Sequence, residues 1–134
     1  MYTVDYFIAK FQAIPEENWY EGNYNNTERT AFCALGHCGS GSSRTGLLEV
    51  TKEAVALQRI IRTYLESEVT SINDGLSNSY NQETPKQRVL AALMDIRSLV
   101  SFYQRRLSVE ISDPPITAEE LISSLPAIEE LQFA

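Results

Sequence analysis

Apolar residues recur at helical spacing along much of this chain. Val4, Phe7, Ile8, Phe11 and Ile14 form one stripe behind the capping residue Thr3, which predicts a first amphipathic helix that ends at Pro15. The period returns from Thr51, with Ala54, Leu57, Ile61, Tyr64 and Leu65 on one face, and fades at Glu66–Glu68. The clearest helix start is Thr84-Pro85-Lys86-Gln87, which combines a capping hydroxyl, a proline at the first helical position and the glutamine of a capping box. Behind it Val89, Leu90, Leu93, Met94, Ile96, Leu99, Val100, Tyr103 and Leu107 line a broad apolar face. This predicts the longest helix and the centre of the core.

The intervening stretches are less periodic. Residues 22–27 are turn chemistry, after which Asn25 with Glu28 predicts a second helix. That helix runs through Phe32-Cys33-Ala34-Leu35-Gly36-His37-Cys38 and ends on a left-handed glycine at Gly39. Val69-Thr70-Ser71-Ile72 reads as an extended connector, with room for one short strand pairing, before the turn Asn73-Asp74-Gly75. Pro114-Pro115 breaks the chain; Thr117 with Glu120 then opens a short helix through Leu125, and Pro126 begins another turn. The expected fold is mostly α: a compact single-domain bundle of five or six helices over residues 1–134, with 108–134 an acidic helical tail.

Composition narrows the class. At 134 residues and 43% hydrophobic the chain can bury a core of its own. No run reaches the roughly 18 apolar residues of a membrane helix, and Asp5 and Lys10 make the N-terminus unlike a signal peptide. Two cysteines five positions apart on one helix are badly placed to pair, which predicts reduced thiols and a cytoplasmic location. The net charge of −7 argues against nucleic acid as a partner. It is unevenly distributed: residues 84–107 carry +4 and residues 108–134 carry −6, so an acidic tail follows a basic helix and could fold back on it. Gly39-Ser40-Gly41-Ser42-Ser43 lacks both the preceding strand and the Lys-Ser/Thr ending of a phosphate loop.

Three local patterns stand in order: Trp19 with Gly22; Cys33-Ala34-Leu35-Gly36; and Ile72-Asn73-Asp74 followed by Thr84-Pro85-Lys86-Gln87-Arg88-Val89-Leu90-Ala91-Ala92-Leu93. Over roughly residues 4–97 the chain resembles a family of small bacterial and phage proteins of unknown function. That family has an early Trp-Gly turn, a Cys-Ala-x-Gly helix, and an Asn-Asp pair before a Val-Leu-rich helix. The chain departs from the pattern at His37, where a small residue is more typical, and at Cys38. The resemblance implies that Cys33 and Asn73-Asp74 approach each other. It implies no activity.

The candidate chemistry lies at the same place. Cys33 and His37 are four apart, so on a helix they share a face, and an imidazole beside a thiol can generate thiolate. Asn73 or Asp74 would orient the histidine in a small thiol-dependent hydrolase or transferase. Cys33, His37 and Asp74, with Cys38, are also ligands of the right type for zinc, although Cys38 lies about 100° round the helix from His37. The plainer reading is structural: free cysteine is usually a buried small hydrophobe, Asn-Asp suits a turn, and Gly36 marks a close contact between helices. Trp19, Tyr20 and Tyr24 read as a lid over the core or a partner-binding patch. In the tail, Leu121, Ile122, Leu125, Ile128, Leu131 and Phe133 fall near helical spacing and need covering by this chain or another. The expectation is therefore an interaction module without enzymatic activity, with a protein partner, no cofactor, no membrane and a homo-oligomer allowed.

Overall fold

A computed structural model describes residues 1–42 and 48–112. The chain is mostly helical, with α1 at Val4–Gln12, α2 at Ala34–His37, α3 at Lys52–Leu65, α4 at Val69–Asn73 and α5 at Pro85–Ser112. A 3-10 turn occupies Glu16–Asn18, and two-residue strands β1 (Gly41–Ser42) and β2 (Leu48–Glu49) pair antiparallel, Gly41 opposite Glu49. The predicted tail residues Leu121, Leu125, Leu131 and Phe133 lie outside the described residues.

The long helices start where their caps stand. Thr3 Oγ1 accepts the Tyr6 N–H at 3.1 Å, Thr51 Oγ1 accepts that of Ala54 at 3.1 Å, and Thr84 Oγ1 accepts that of Gln87 at 3.1 Å. Each hydroxyl thus satisfies one of the donors a helix leaves open at its start. Much of each predicted stripe buries: Phe7, Ile8 and Phe11 from α1, Ala54, Leu57, Ile61 and Leu65 from α3, and Val89, Leu93 and Ile96 from α5, where Ala92 joins them; Val4, Ile14, Tyr64, Leu90, Met94 and Val100 are only partly buried. At 28 residues, α5 is the longest element and spans about 42 Å. It packs against α1, α3 and α4, so it forms the axis of the bundle. α1 runs antiparallel to it, since Lys86 Nζ reaches the Gln12 carbonyl at 3.1 Å near one end while Arg97 pairs with Asp5 at 3.8 Å near the other.

Two predicted elements differ. The helix expected from Asn25 is absent, and helical structure begins only at Ala34. Asn26 is the cause: its Oδ1 accepts the N–H groups of Thr30 at 2.9 Å and Ala31 at 3.0 Å, and Arg29 adopts a left-handed φ of 59°. A side chain that satisfies the backbone locally competes with the helix, and here it wins. Strand-like bonds then tie the segments together, Tyr20 N–H to the Phe32 carbonyl and Phe32 N–H to that of Asn18, both at 2.9 Å. The second difference is Val69–Ile72, which forms α4 and not an extended connector or strand. The short strand pairing that does form lies at β1 and β2.

Candidate functional site

The Cys/His segment is built around one short helix. Cys33 is not on that helix but immediately before it, as its N-cap, with Sγ accepting the Gly36 N–H at 3.4 Å. His37 is its last residue. Just past its end stands the predicted left-handed glycine, Gly39, whose φ of +89° lets its N–H reach the Gly36 carbonyl at 2.9 Å while the Ser40 N–H reaches that of Leu35 at 3.1 Å. These paired bonds satisfy carbonyls the helix leaves open.

The chemically capable side chains here are hydrogen-bonded or buried. His37 Nε2 lies 2.9 Å from the Asn18 carbonyl oxygen, which can only accept, so Nε2 carries the proton. Burial lowers the imidazole pKa below 6.5, opposed by that bond and assisted by the charge of Lys10, so the ring is neutral near pH 7. It packs against the Trp19 and Phe32 rings at 4.9 and 5.4 Å. Among the described residues no hydrogen bond joins His37 to Cys33, Asn73 or Asp74, so the predicted thiol–imidazole pair does not form. The reason is that Cys33 sits at the cap, where its sulfur turns to backbone N–H.

Both thiols are free and buried. Burial raises the Cys33 pKa, the backbone N–H groups of Gly36 and Leu35 lower it in part, and the charge of Asp74 raises it further. Cys38 is pushed up to about 12, first by burial and then by Glu53. A thiol of this kind holds little thiolate at neutral pH. Glu53 in turn accepts from Lys10 Nζ and Tyr6 Oη, both at 2.6 Å, which lifts the Tyr6 pKa to about 12. Among the described residues no three His, Cys, Asp or Glu side chains gather as a metal ion would need.

Asn73 and Asp74 do meet the Cys33 segment, but by way of the backbone. Asn73 is fully buried; its Oδ1 accepts the Ala34 N–H at 3.0 Å, and its Nδ2 donates to the Tyr20 carbonyl at 2.8 Å and to Asp74 Oδ1 at 2.9 Å. Asp74 Oδ1 also accepts the Gly22 N–H at 3.0 Å. The pair therefore fastens α4 to α2 and to the aromatic loop. The buried member that accepts from the Cys33 segment is Asn73.

Sequence reasoning missed Arg88. It is 5% exposed, and its guanidinium donates to the carbonyls of Ile72 (3.2 Å), Asn73 (2.7 Å) and Gln82 (2.8 Å) and to Glu21 Oε1 (2.5 Å). Two of those carbonyls end α4, so a cation stands where the helix dipole is negative. The available signal was positional: Arg88 precedes Ala92 and Ile96 by four and eight, which places it on the apolar face of α5.

Trp19 is core, 7% exposed, with Nε1 donating to the Ile14 carbonyl at 3.4 Å and its ring edge-on to Phe11. It is the lid and is not available to a partner. Tyr20 is partly exposed, and Tyr24 is half-buried with its carbonyl accepting the Cys33 N–H at 3.0 Å. That carbonyl also explains Gly36: a Cβ there would stand 2.3 Å from Tyr24 O. The close contact is thus helix to loop, where helix to helix was expected.

Beside this knot lies a groove of about 480 Å³ over the outer face of α3. Tyr24, Leu35, Ala54, Val50 and Val55 supply its apolar lining, and Arg59, Arg62 and Glu68 supply its charge. Comparison with protein-family models, with curated proteins and with solved structures finds no match to this chain. No helix among the described residues is long and apolar enough to cross a membrane.

Proposed function

We propose that this chain is a non-enzymatic, cytoplasmic protein-interaction module of the small bacterial or phage kind its motifs resemble. One observation carries the reading. Among the described residues the Cys33, His37, Asn73 and Asp74 side chains are committed to capping, loop fastening and packing, and no hydrogen bond joins the thiol to the imidazole or either of them to Asn73 or Asp74. The surface offers a groove on α3, edged by the exposed Val50 (64%) and Val55 (40%). A depression that sets apolar side chains beside polar and charged ones is a usual form for a recognition site.

Alkylation of Cys33 and Cys38 against pH, read by mass spectrometry with and without chelator, tests this. Both thiols should stay protected until the protein unfolds, whether or not chelator is present. Rapid reaction of Cys33 below pH 7 would overturn the reading in favour of a thiol-dependent hydrolase or transferase with His37 as base. Protection lost on chelation would instead indicate a zinc-supported domain.

A further inference from the structure

The charges around the α3 groove are not equivalent. Arg62 is bonded to Glu68 through Nε and Nη2, both at 2.9 Å. Gln58 Nε2 also donates to Glu68, and Gln58 Oε1 accepts the Val69 N–H at 3.1 Å. Those three side chains are a strap between α3 and the start of α4. Arg59 is exposed and, among the described residues, has neither a hydrogen bond nor an ion pair. It follows Val55 by four positions, so the free guanidinium and the exposed isopropyl group stand side by side on one face of α3.

From this juxtaposition we infer that the groove takes a short segment of a partner protein in which one carboxylate adjoins an aliphatic or aromatic side chain. The inference rests on the interaction-module reading. The apolar side chain would displace water from the lining of Leu35, Ala54 and Val55, and the carboxylate would meet Arg59, whose planar fork suits it. Charge complementarity selects this occupant. With Arg62 neutralised by Glu68, the described residues of the rim offer one unanswered positive charge, which suits a single carboxylate. The chain's net charge of −7 repels a strongly acidic segment at long range, so a single carboxylate fits better than an acidic run.

A random-peptide display library selected on the full chain, followed by fluorescence anisotropy of the selected peptides, tests the assignment. Selected peptides should carry one Asp or Glu next to Leu, Ile, Val or Phe. Arg59→Glu should weaken them by about tenfold or more, the scale of one bond to a charged group. Val55→Lys should weaken them as well, and Arg59→Lys should retain part of the affinity. Both positions are exposed, and unchanged thermal melts would confirm that the variants fold. A selection that enriches nothing or yields basic peptides overturns the inference. Peptides that bind Arg59→Glu and Val55→Lys as tightly as the parent overturn the groove while leaving the module reading standing. A fast thiol below pH 7 overturns that reading whatever the groove binds.

Discussion

Arg88 donates to the backbone carbonyl of Asn73 at 2.7 Å, while the Asn73 side chain holds the Ala34 N–H at 3.0 Å. Through these two residues the longest helix, the shortest helices and the aromatic loop share one buried polar knot. Each bond answers a group that water cannot reach, so loss of either side chain leaves more than one partner unsatisfied.

Arg88→Met should therefore destabilise the fold by about 2–4 kcal/mol, because the carbonyls ending α4 lose their donor. Arg88→Lys should recover little of this, since one ammonium cannot reach four acceptors held in a fork. Glu21→Gln should cost under about 1 kcal/mol, as Glu21 is half exposed and remains solvated without the pair. Urea midpoints at constant m separate the three; an Arg88→Met variant as stable as the parent would remove the knot from the account.

Asn73→Asp tests the same knot through charge. The new carboxylate still accepts from Ala34 but loses the donor to Tyr20, and it stands beside Asp74. Like charges at this distance repel. The variant should be destabilised at pH 7, and its deficit against the parent should shrink as pH falls through the carboxylate range. A deficit independent of pH would show that the lost donor, and not repulsion, dominates.

Gly36→Ala and Gly22→Ala make a matched pair. At Gly36 the added methyl meets Tyr24 O at 2.3 Å, so the loop has to move, and overpacking of this kind costs about 2–3 kcal/mol. At Gly22 nothing lies within 4 Å, but φ is +87°, so only backbone strain of about 1 kcal/mol is expected. Thermal melts should rank Gly36→Ala as the less stable of the two.

His37 gives a pH dependence of defined sign. Burial holds its folded pKa below the ordinary 6.5, so as pH falls below that value the unfolded chain takes up a proton that the folded chain does not. Stability contributed by the neutral ring is complete above about pH 6.5 and declines as pH drops toward the folded pKa. In His37→Gln this part of the acid decline should disappear, measured as the difference between parent and variant unfolding midpoints from pH 7.5 downward. Parallel profiles would mean that the ring titrates alike in both states.

The three long helices were legible because their signals are local. Thr3, Thr51 and Thr84 cap within three residues, and the apolar stripes behind them need only a helical period to form a face. The stretch from Asn25 to Cys38 was misread because two local signals competed. Asn25 with Glu28 suggested a helix, and nothing in the residue types showed that Asn26 would bind Thr30 and Ala31 first. Once it does, Cys33 moves from helix interior to cap, and the predicted Cys33–His37 face disappears with it.

α4 is different, because its sequence argues against it. Val69-Thr70-Ser71-Ile72 is rich in β-branched and polar residues, and only distant groups make it helical: Gln58 accepts at its first residue and Arg88 donates to its last carbonyls. Periodicity and caps, which act over three or four residues, determine from the sequence alone that this chain is a helical bundle centred on α5. Which polar groups are buried, and hence whether Cys33, His37, Asn73 and Asp74 form a reactive site or a structural knot, depends on contacts between residues 15 to 67 positions apart. Those contacts exist only once the helices have packed, because burial is what turns a side chain's reach toward a carbonyl or an N–H from an option into a requirement.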